Sequence, residues 1–380
     1  MIRVLYTIPN FITAGSQLEM VRLIQRLDKK KFEPLVLIGR AGGREDELLR
    51  PLGVQYVVRP YYFTAGSKAR LFSQCIQTGL ALRQLKCAIW HSYHYLDDYS
   101  EPLVAYAAGA RAWIYTKKNM SWGSRGWRLR SALATRIIAR NRRMMEEFFS
   151  DGALARKAVF IPAGIDVDEF APAHPRPQAI RSRLGVPCEA IMVTCVAQLV
   201  PVKGHKILLE AVKGVADVHV VLAGDTTDAQ YRAEVLAAGE AEQVRGRVHF
   251  VGYFKDVRAL LQESDIFVLP TLNVGRGEAF GVALLEAMSC GLPCIATSTD
   301  GPRELLDDGR AGILVPPGDV SALGEAIRHL ASDADARRRL GEAARRRATS
   351  SYSLDQETRL TEALYLEALG IRTDHAENAH

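Results

Sequence analysis

Two carboxylates and a lysine are the residues of this 380-residue chain whose types and spacing suggest chemistry. Glu278 and Glu286 bracket a short stretch, Ala279-Phe280-Gly281-Val282-Ala283-Leu284-Leu285. Glycines at 275, 277 and 281 mark a loop, and residues 282–290 have helical spacing that Gly291 and Pro293 stop. A loop that empties into a helix presents free N–H groups and partial positive charge, which suit a phosphate. Carboxylates repel phosphate, so Glu278 and Glu286 are expected to take hydroxyls at the neutral ends of an anionic ligand. Lys203 follows the apolar run 190–196 and precedes a helical pattern, which puts a cation at a second strand-to-helix turn, a natural diphosphate clamp.

The elements that position these residues repeat one pattern. Apolar strand-like runs at 3–8, 32–38, 55–58 and 88–90 alternate with helical stretches near 17–29 and 69–86. After the proline-rich linker 171–177 the alternation restarts, with strands at 190–196, 218–223, 248–253, 266–270 and 294–298. Such alternation predicts parallel sheets covered by helices on both faces.

The stretch from Glu278 to Glu286 resembles the E-x7-E element of glycosyltransferase family 4, the retaining group 1 glycosyltransferases of the GT-B fold. Pro162-Ala163-Gly164-Ile165-Asp166 resembles the family's crossover between domains, and Gly312-Ile313-Leu314-Val315-Pro316-Pro317-Gly318-Asp319 its usual continuation. The resemblance implies an α/β fold of two Rossmann-like, doubly wound domains facing a deep interdomain cleft. Residues 1–172 would bind the acceptor and 173–352 the sugar nucleotide. Residues 353–380 would supply a helix packing back on the first domain and a frayed tail.

By the same resemblance, Glu278 holds donor-sugar hydroxyls, Glu286 the nucleotide ribose, and the amides near Phe280, Gly281 and Val282 the diphosphate, with Lys203 stabilising the leaving group. The family carries an arginine five residues before the lysine; here that position is Gln198, which donates only neutral hydrogen bonds. Arg276 and Arg303 are the nearest substitutes. In His91-Ser92-Tyr93-His94, which resembles the family's H-x-H loop, His94 better matches the histidine near the donor sugar. The first turn, 11–19, resembles a double-glycine loop but has Ala14 at the first position, leaving Gly15 as the donor-side candidate. Asn141 reads instead as the cap of the helix after it.

The function implied is transfer, with retention, of a hexose-type sugar from a nucleotide-diphosphate sugar, UDP-sugar foremost, to an acceptor hydroxyl. The acceptor would be a glycan or lipid-linked molecule of glycan, lipopolysaccharide or exopolysaccharide biosynthesis. Neither metal nor separate cofactor is expected, and the departing phosphate would take the acceptor proton in a front-face attack. A nucleotide-sugar-binding protein without turnover is the alternative, favoured by Gln198 and Ala14; a GT-B epimerase or phosphorylase is another. An NAD-linked oxidoreductase needs G-x-G-x-x-G after the first strand, which 13–19 does not supply.

Composition narrows the setting. The length suits two domains with separate cores. No run of 18 apolar residues exists to span a membrane, and residues 1–9 read as a first strand, not a signal peptide. Six cysteines without Cys-x-x-Cys spacing point to idle thiols in a reducing cytoplasm. Residues 1–172 carry 26 Lys and Arg against 15 Asp and Glu. Much of that excess lies at Arg125, Arg128, Arg130, Arg136, Arg140, Arg142 and Arg143, interleaved with Trp127, Leu129, Leu133, Ile137 and Ile138. Such a segment either lies on an anionic bilayer, making the protein peripheral on the inner membrane face, or turns its arginines to water. No nucleic-acid module accompanies the charge. Arg337 to Arg339 and Arg345 to Arg347 read as a solvated helix face.

Overall fold

A computed structural model describes residues 1–12, 15–63, 67–94, 98–120, 125–226, 228–274 and 278–371. The chain folds as two compact units, Met1–Gly164 with Leu354–His380, and Ile165–Ser353. It changes unit at Gly164, ahead of the linker at 171–177. The reason is local: the Ile165 N–H donates to the Tyr352 carbonyl at 2.9 Å, and Arg345 bonds the carbonyls of Val167 and Phe170.

In the first unit the described residues form a seven-stranded parallel sheet of β1 (Ile2–Ile8), β2 (Phe32–Ile38), β3 (Gln55–Val58), β4 (Ile89–Ser92), β5 (Ala112–Lys117), β6 (Arg136–Ala139) and β7 (Ala158–Phe160). Their order is β3-β2-β1-β4-β5-β6-β7. β1 is buried from Val4 onward and β5 throughout, as expected of strands covered on both faces. Helix α1 (Gly15–Arg26) follows β1, α2 (Arg125–Leu133) precedes β6 and α3 (Arg142–Phe148) follows it. Asn141 caps α3, its side-chain oxygen accepting from the Met144 N–H at 2.7 Å.

The basic stretch is therefore not one amphipathic helix but helix, strand and helix. Arg130 and Arg140 turn inward: Arg130 pairs with the buried Glu101 at 2.8 Å, and Arg140 lies between Glu19 and Glu357. Each guanidinium goes inside because a carboxylate from a distant element meets it there. Arg125, Arg128, Leu129, Arg142 and Arg143 stay exposed.

The second unit holds a six-stranded parallel sheet of β8 (Ile191–Val196), β9 (Val218–Ala223), β10 (Val248–Gly252), β11 (Ile266–Leu269), β12 (Cys294–Thr297) and β13 (Ile313–Val315), ordered β10-β9-β8-β11-β12-β13. Helices α4 (His205–Val212), α5 (Val282–Ser289), α6 (Asp300–Leu305) and α7 (Ala334–Ser351) bear on the site. Val193, Val220, Val268, Ile295 and Leu323 lie in its core. α7 does not present all its arginines to water, since Arg345 reaches inward to the end of α5. The last helix, α8 (Leu354–Ala368), belongs to the first unit. There Leu364 and Tyr365 enter the core, and the Tyr365 hydroxyl lies 2.6 Å from His91 Nδ1 and 2.9 Å from the Tyr6 hydroxyl.

Candidate functional site

In the second sheet the connections reverse direction between β8 and β11, which are neighbours, and a doubly wound sheet opens a crevice at such a point beyond its strand ends. The chain leaving β8 makes a single 3-10 turn, Pro201–Lys203, and passes through Gly204 at φ 69° into α4. A Cβ at 204 would lie 2.0 Å from the Pro270 carbonyl oxygen, so only glycine fits. The Leu272 N–H donates to the Val202 carbonyl at 2.7 Å. These contacts clasp the loop after β8 to the loop after β11 and deliver Lys203 to Glu278. Lys203 Nζ stands 2.5 Å from Glu278 Oε2, with the two side chains 23% and 15% exposed.

Gly281, at φ 98°, begins α5 without a side-chain cap, and its carbonyl accepts the Leu285 N–H at 3.0 Å. The N–H groups of the first turn, from Val282 on, therefore have no partner within the helix. Phe280 is buried and meets Tyr352 edge-on at 5.9 Å. The Gly301 N–H, in α6, donates to the Glu278 carbonyl at 3.1 Å, and a Cβ on Gly301 would lie 2.5 Å from the Phe280 carbonyl oxygen. Residues 278–281 are thus held between α6 and Tyr352. Glu286 follows on α5, 7% exposed.

Two further candidates stand differently. Gln198 is exposed, and Arg303 is bonded to Asp308 at 2.9 and 3.2 Å on the surface. Arg276, with Gly275 and Gly277, lies outside the described residues. Sequence reasoning did not single out His205, buried at the start of α4, whose burial pushes its pKa down to about 4. Its place two residues after Lys203 was the available signal.

Gly15 and His94 belong to the other unit, where the connections reverse between β1 and β4. Gly15 opens α1 and is exposed; a Cβ there would meet nothing within 4 Å. Thr13 and Ala14 of the same turn lie outside the described residues, as do Tyr95, Leu96 and Asp97. His94 is completely buried, and that burial pushes its pKa down to about 3. Its Nδ1 is 3.9 Å from Glu101 Oε2 and its ring 4.2 Å from that of Tyr62. His91 is fixed by Tyr365 and by the Thr116 hydroxyl, 2.9 Å away.

Around these residues lie two buried polar networks that no sequence pattern announced. Glu101 accepts from Ser92 at 2.7 Å, Trp90 at 3.1 Å and Arg130 at 2.8 Å. Burial alone would raise Glu101, but Arg130 holds it below the usual carboxylate range. Lys118 pairs with Glu19 at 2.6 Å, Arg140 with Glu19 and, at 2.8 Å, with Glu357, and Glu357 accepts the Gly164 N–H at 2.7 Å.

Chemically, the second unit offers a cation and a row of free N–H groups, a setting for a diphosphate. Glu278 neutralises that cation, so an anionic ligand must compete with it. Among the described residues no group of three His, Cys, Asp or Glu is placed to hold a metal ion.

Residues 178–347 match the sequence model of the family described as Glycosyl transferases group 1. The phosphatidyl-myo-inositol mannosyltransferase of Mycobacterium leprae is 36% identical over 182 residues, 46% of this chain and 44% of that protein. The D-inositol 3-phosphate glycosyltransferase of Geodermatophilus obscurus is 32% identical over 258 residues, 62% of this chain and 53% of that one. The chain thus spans about half the length of these relatives. Among solved structures, Anabaena Alr3699/HepE in complex with UDP and glucose superposes with a TM-score of 0.81 at 20% identity, covering 96% of this chain and 100% of that one. Such a likeness shows the fold, which is GT-B. The segment that matches this family's model, residues 178–347, is the one that supplies Lys203, Glu278, Phe280, Gly281, Val282 and Glu286, so the similarity to the glycosyl transferases group 1 family falls on the candidate site.

Proposed function

We propose that this protein is a retaining glycosyltransferase that moves a hexose-type sugar from a nucleotide-diphosphate sugar to the hydroxyl of a glycan or lipid-linked acceptor. The observation that carries the reading is the meeting of Lys203 and Glu278 where β8 and β11 diverge, beside the uncapped start of α5. A diphosphate seated on the first-turn amides gains the helix dipole and the lysine together. Glu278, released from Lys203, accepts sugar hydroxyls, and Glu286 accepts from the ribose. Charge that a metal would otherwise neutralise rests on Lys203 and the amides. The leaving phosphate takes the acceptor proton, since no carboxylate is assigned as a covalent nucleophile. UDP-sugars are the first donors to test, UDP being the nucleotide bound by the Anabaena neighbour.

The test is nucleotide release from UDP-, GDP- and ADP-sugars by the parent chain and by Glu278→Ala and Lys203→Ala. Turnover by the parent and its loss in both variants is the expected result. Equal turnover in all three overturns the assignment. Binding without turnover across a broad acceptor panel would favour the second reading, a nucleotide-sugar-binding protein, for which neutral Gln198 is the motivating feature.

We further propose peripheral attachment to an anionic membrane through the exposed Arg125, Arg128 and Leu129 of α2. Among the described residues no helix is long and apolar enough to cross a membrane. Flotation with phosphatidylglycerol vesicles, and its loss in Arg125→Glu/Arg128→Glu, tests this; flotation equal with neutral vesicles counts against it.

A further inference from the structure

We infer that Arg345 is a positioning residue of the proposed donor helix α5. Resting on the reading above, the inference adds a residue that touches no ligand. One guanidinium nitrogen, Nη1, lies 2.7 Å from the Ser289 carbonyl, 3.0 Å from the Ser289 hydroxyl, 2.7 Å from the Val167 carbonyl and 3.2 Å from the Phe170 carbonyl. Ser289 is the last residue of α5, so its carbonyl belongs to the set that a helix leaves without intrahelical partners. A cation there answers the negative end of the helix dipole and leaves the positive end, at Gly281, for the ligand. Val167 and Phe170 belong to the segment that opens the second unit, so the same nitrogen ties α5 to that segment.

Packing around the arginine leaves α5 little freedom to slide. One turn earlier on α7, a Cβ on Gly341 would lie 2.2 Å from the Gly291 carbonyl oxygen. On the other side, a Cβ on Gly291, at φ 75°, would lie 3.1 Å from the Pro172 ring. α7 and the 165–172 segment thus grip the C-terminal end of α5 from two sides, with Arg345 joining them. α5 has eight residues, so its two ends are little more than two turns apart. A shift at Ser289 therefore moves Glu286, in the last turn, and the amides after Gly281 together. Recognition of ribose and of diphosphate then both depend on Arg345.

The experiment uses the full chain and four variants: Arg345→Ala, Arg345→Lys, Glu286→Gln and, as a control for lost stability, Arg247→Ala. Arg247 caps the Val215 and Val218 carbonyls at 2.9 Å, away from α5. UDP and GDP binding is measured calorimetrically 15 to 20 °C below each melting midpoint (about that margin keeps the chains folded). The expected result is a Kd for the nucleotide raised about tenfold in Arg345→Ala, partly restored in Arg345→Lys, and unchanged in Arg247→Ala despite a lowered Tm. KM for the sugar nucleotide should rise more than kcat falls. If Arg345→Ala melts earlier yet binds like the parent while Glu286→Gln binds weakly, Arg345 only stabilises the unit and the inference fails. If the parent binds neither nucleotide, the reading of the site falls and this inference with it. Should Arg345→Ala fail to fold, Arg345→Lys decides: binding equal to the parent's overturns the inference, because ammonium does not reproduce the guanidinium reach.

Discussion

Removing the charge of Glu278 while keeping its shape should move nucleotide binding and turnover in opposite directions. In the free protein Lys203 is engaged by Glu278 at 2.5 Å. Two unit charges about 4 Å apart interact by about 4 kcal/mol at an effective dielectric near 20. Because the side chains are 23% and 15% exposed, water and desolvation reduce the net coupling to about 1–1.5 kcal/mol. A diphosphate that takes Lys203 must overcome that coupling. Glu278→Gln removes most of it, so UDP or GDP should bind about tenfold tighter. The amide is a poorer acceptor for sugar hydroxyls, so turnover of the sugar nucleotide should fall by about two orders of magnitude. Lys203→Met should do the reverse to the nucleotide, weakening it about 10–100-fold through loss of a charge-assisted contact. It also leaves Glu278 half-buried without its cation. The double variant, read as a cycle, should show coupling of the stated size. Calorimetric titration with UDP and GDP, paired with nucleotide release, measures all of this. If Glu278→Gln weakens the bare nucleotide as much as Lys203→Met does, the carboxylate is not a competitor for the lysine and the reasoning fails.

Other consequences follow from the same geometry. Gly301→Ala puts a Cβ 2.5 Å from the Phe280 carbonyl oxygen and should lower donor turnover at least tenfold with a smaller change in melting temperature; parent-like kinetics would show that loop 278–281 tolerates displacement. His94 and His205 are buried neutral, with pKa values pushed to about 3 and about 4. The unfolded chain takes up these protons near the ordinary histidine value of about 6.5 while the folded chain does not. Stability should therefore be full above that pH and fall as pH drops from it toward 4, by about 1.4 kcal/mol per pH unit for each histidine. Urea titrations at pH 7.5 and 5 test this, and His205→Asn should flatten the dependence in the second unit; an equal slope in the variant would contradict it. Arg130→Met should cost about 3–5 kcal/mol by leaving Glu101 charged and buried without its partner, and Arg130→Met/Glu101→Leu should recover much of that loss in chemical denaturation.

Much of the second unit was legible in the sequence because its signals are local. Gly281 begins a helix and Gly291 ends it, Lys203 sits on a strand-to-helix turn, and Asp319 caps the helix after it by accepting the Ala322 N–H at 2.9 Å. What stayed hidden depends on pairs far apart in the chain. Arg130 and Arg140 read as surface charges because their partners, Glu101, Glu19 and Glu357, lie on other elements and no spacing rule joins them. Arg345 read as solvated for the same reason: a run of arginines gives no hint that one will meet the last carbonyl of a helix more than fifty residues earlier. The Lys203–Glu278 pair was not foreseen either, since each residue was assigned to the ligand rather than to the other.

The measurement closest to the central claim is a crystal of the chain soaked with UDP and, separately, GDP. The account predicts diphosphate oxygens on the amides that follow Gly281, with Lys203 turned from Glu278 to a phosphate oxygen and the ribose at Glu286. Nucleotide bound elsewhere, or an intact Lys203–Glu278 pair beside an empty helix terminus at saturating nucleotide, would contradict it.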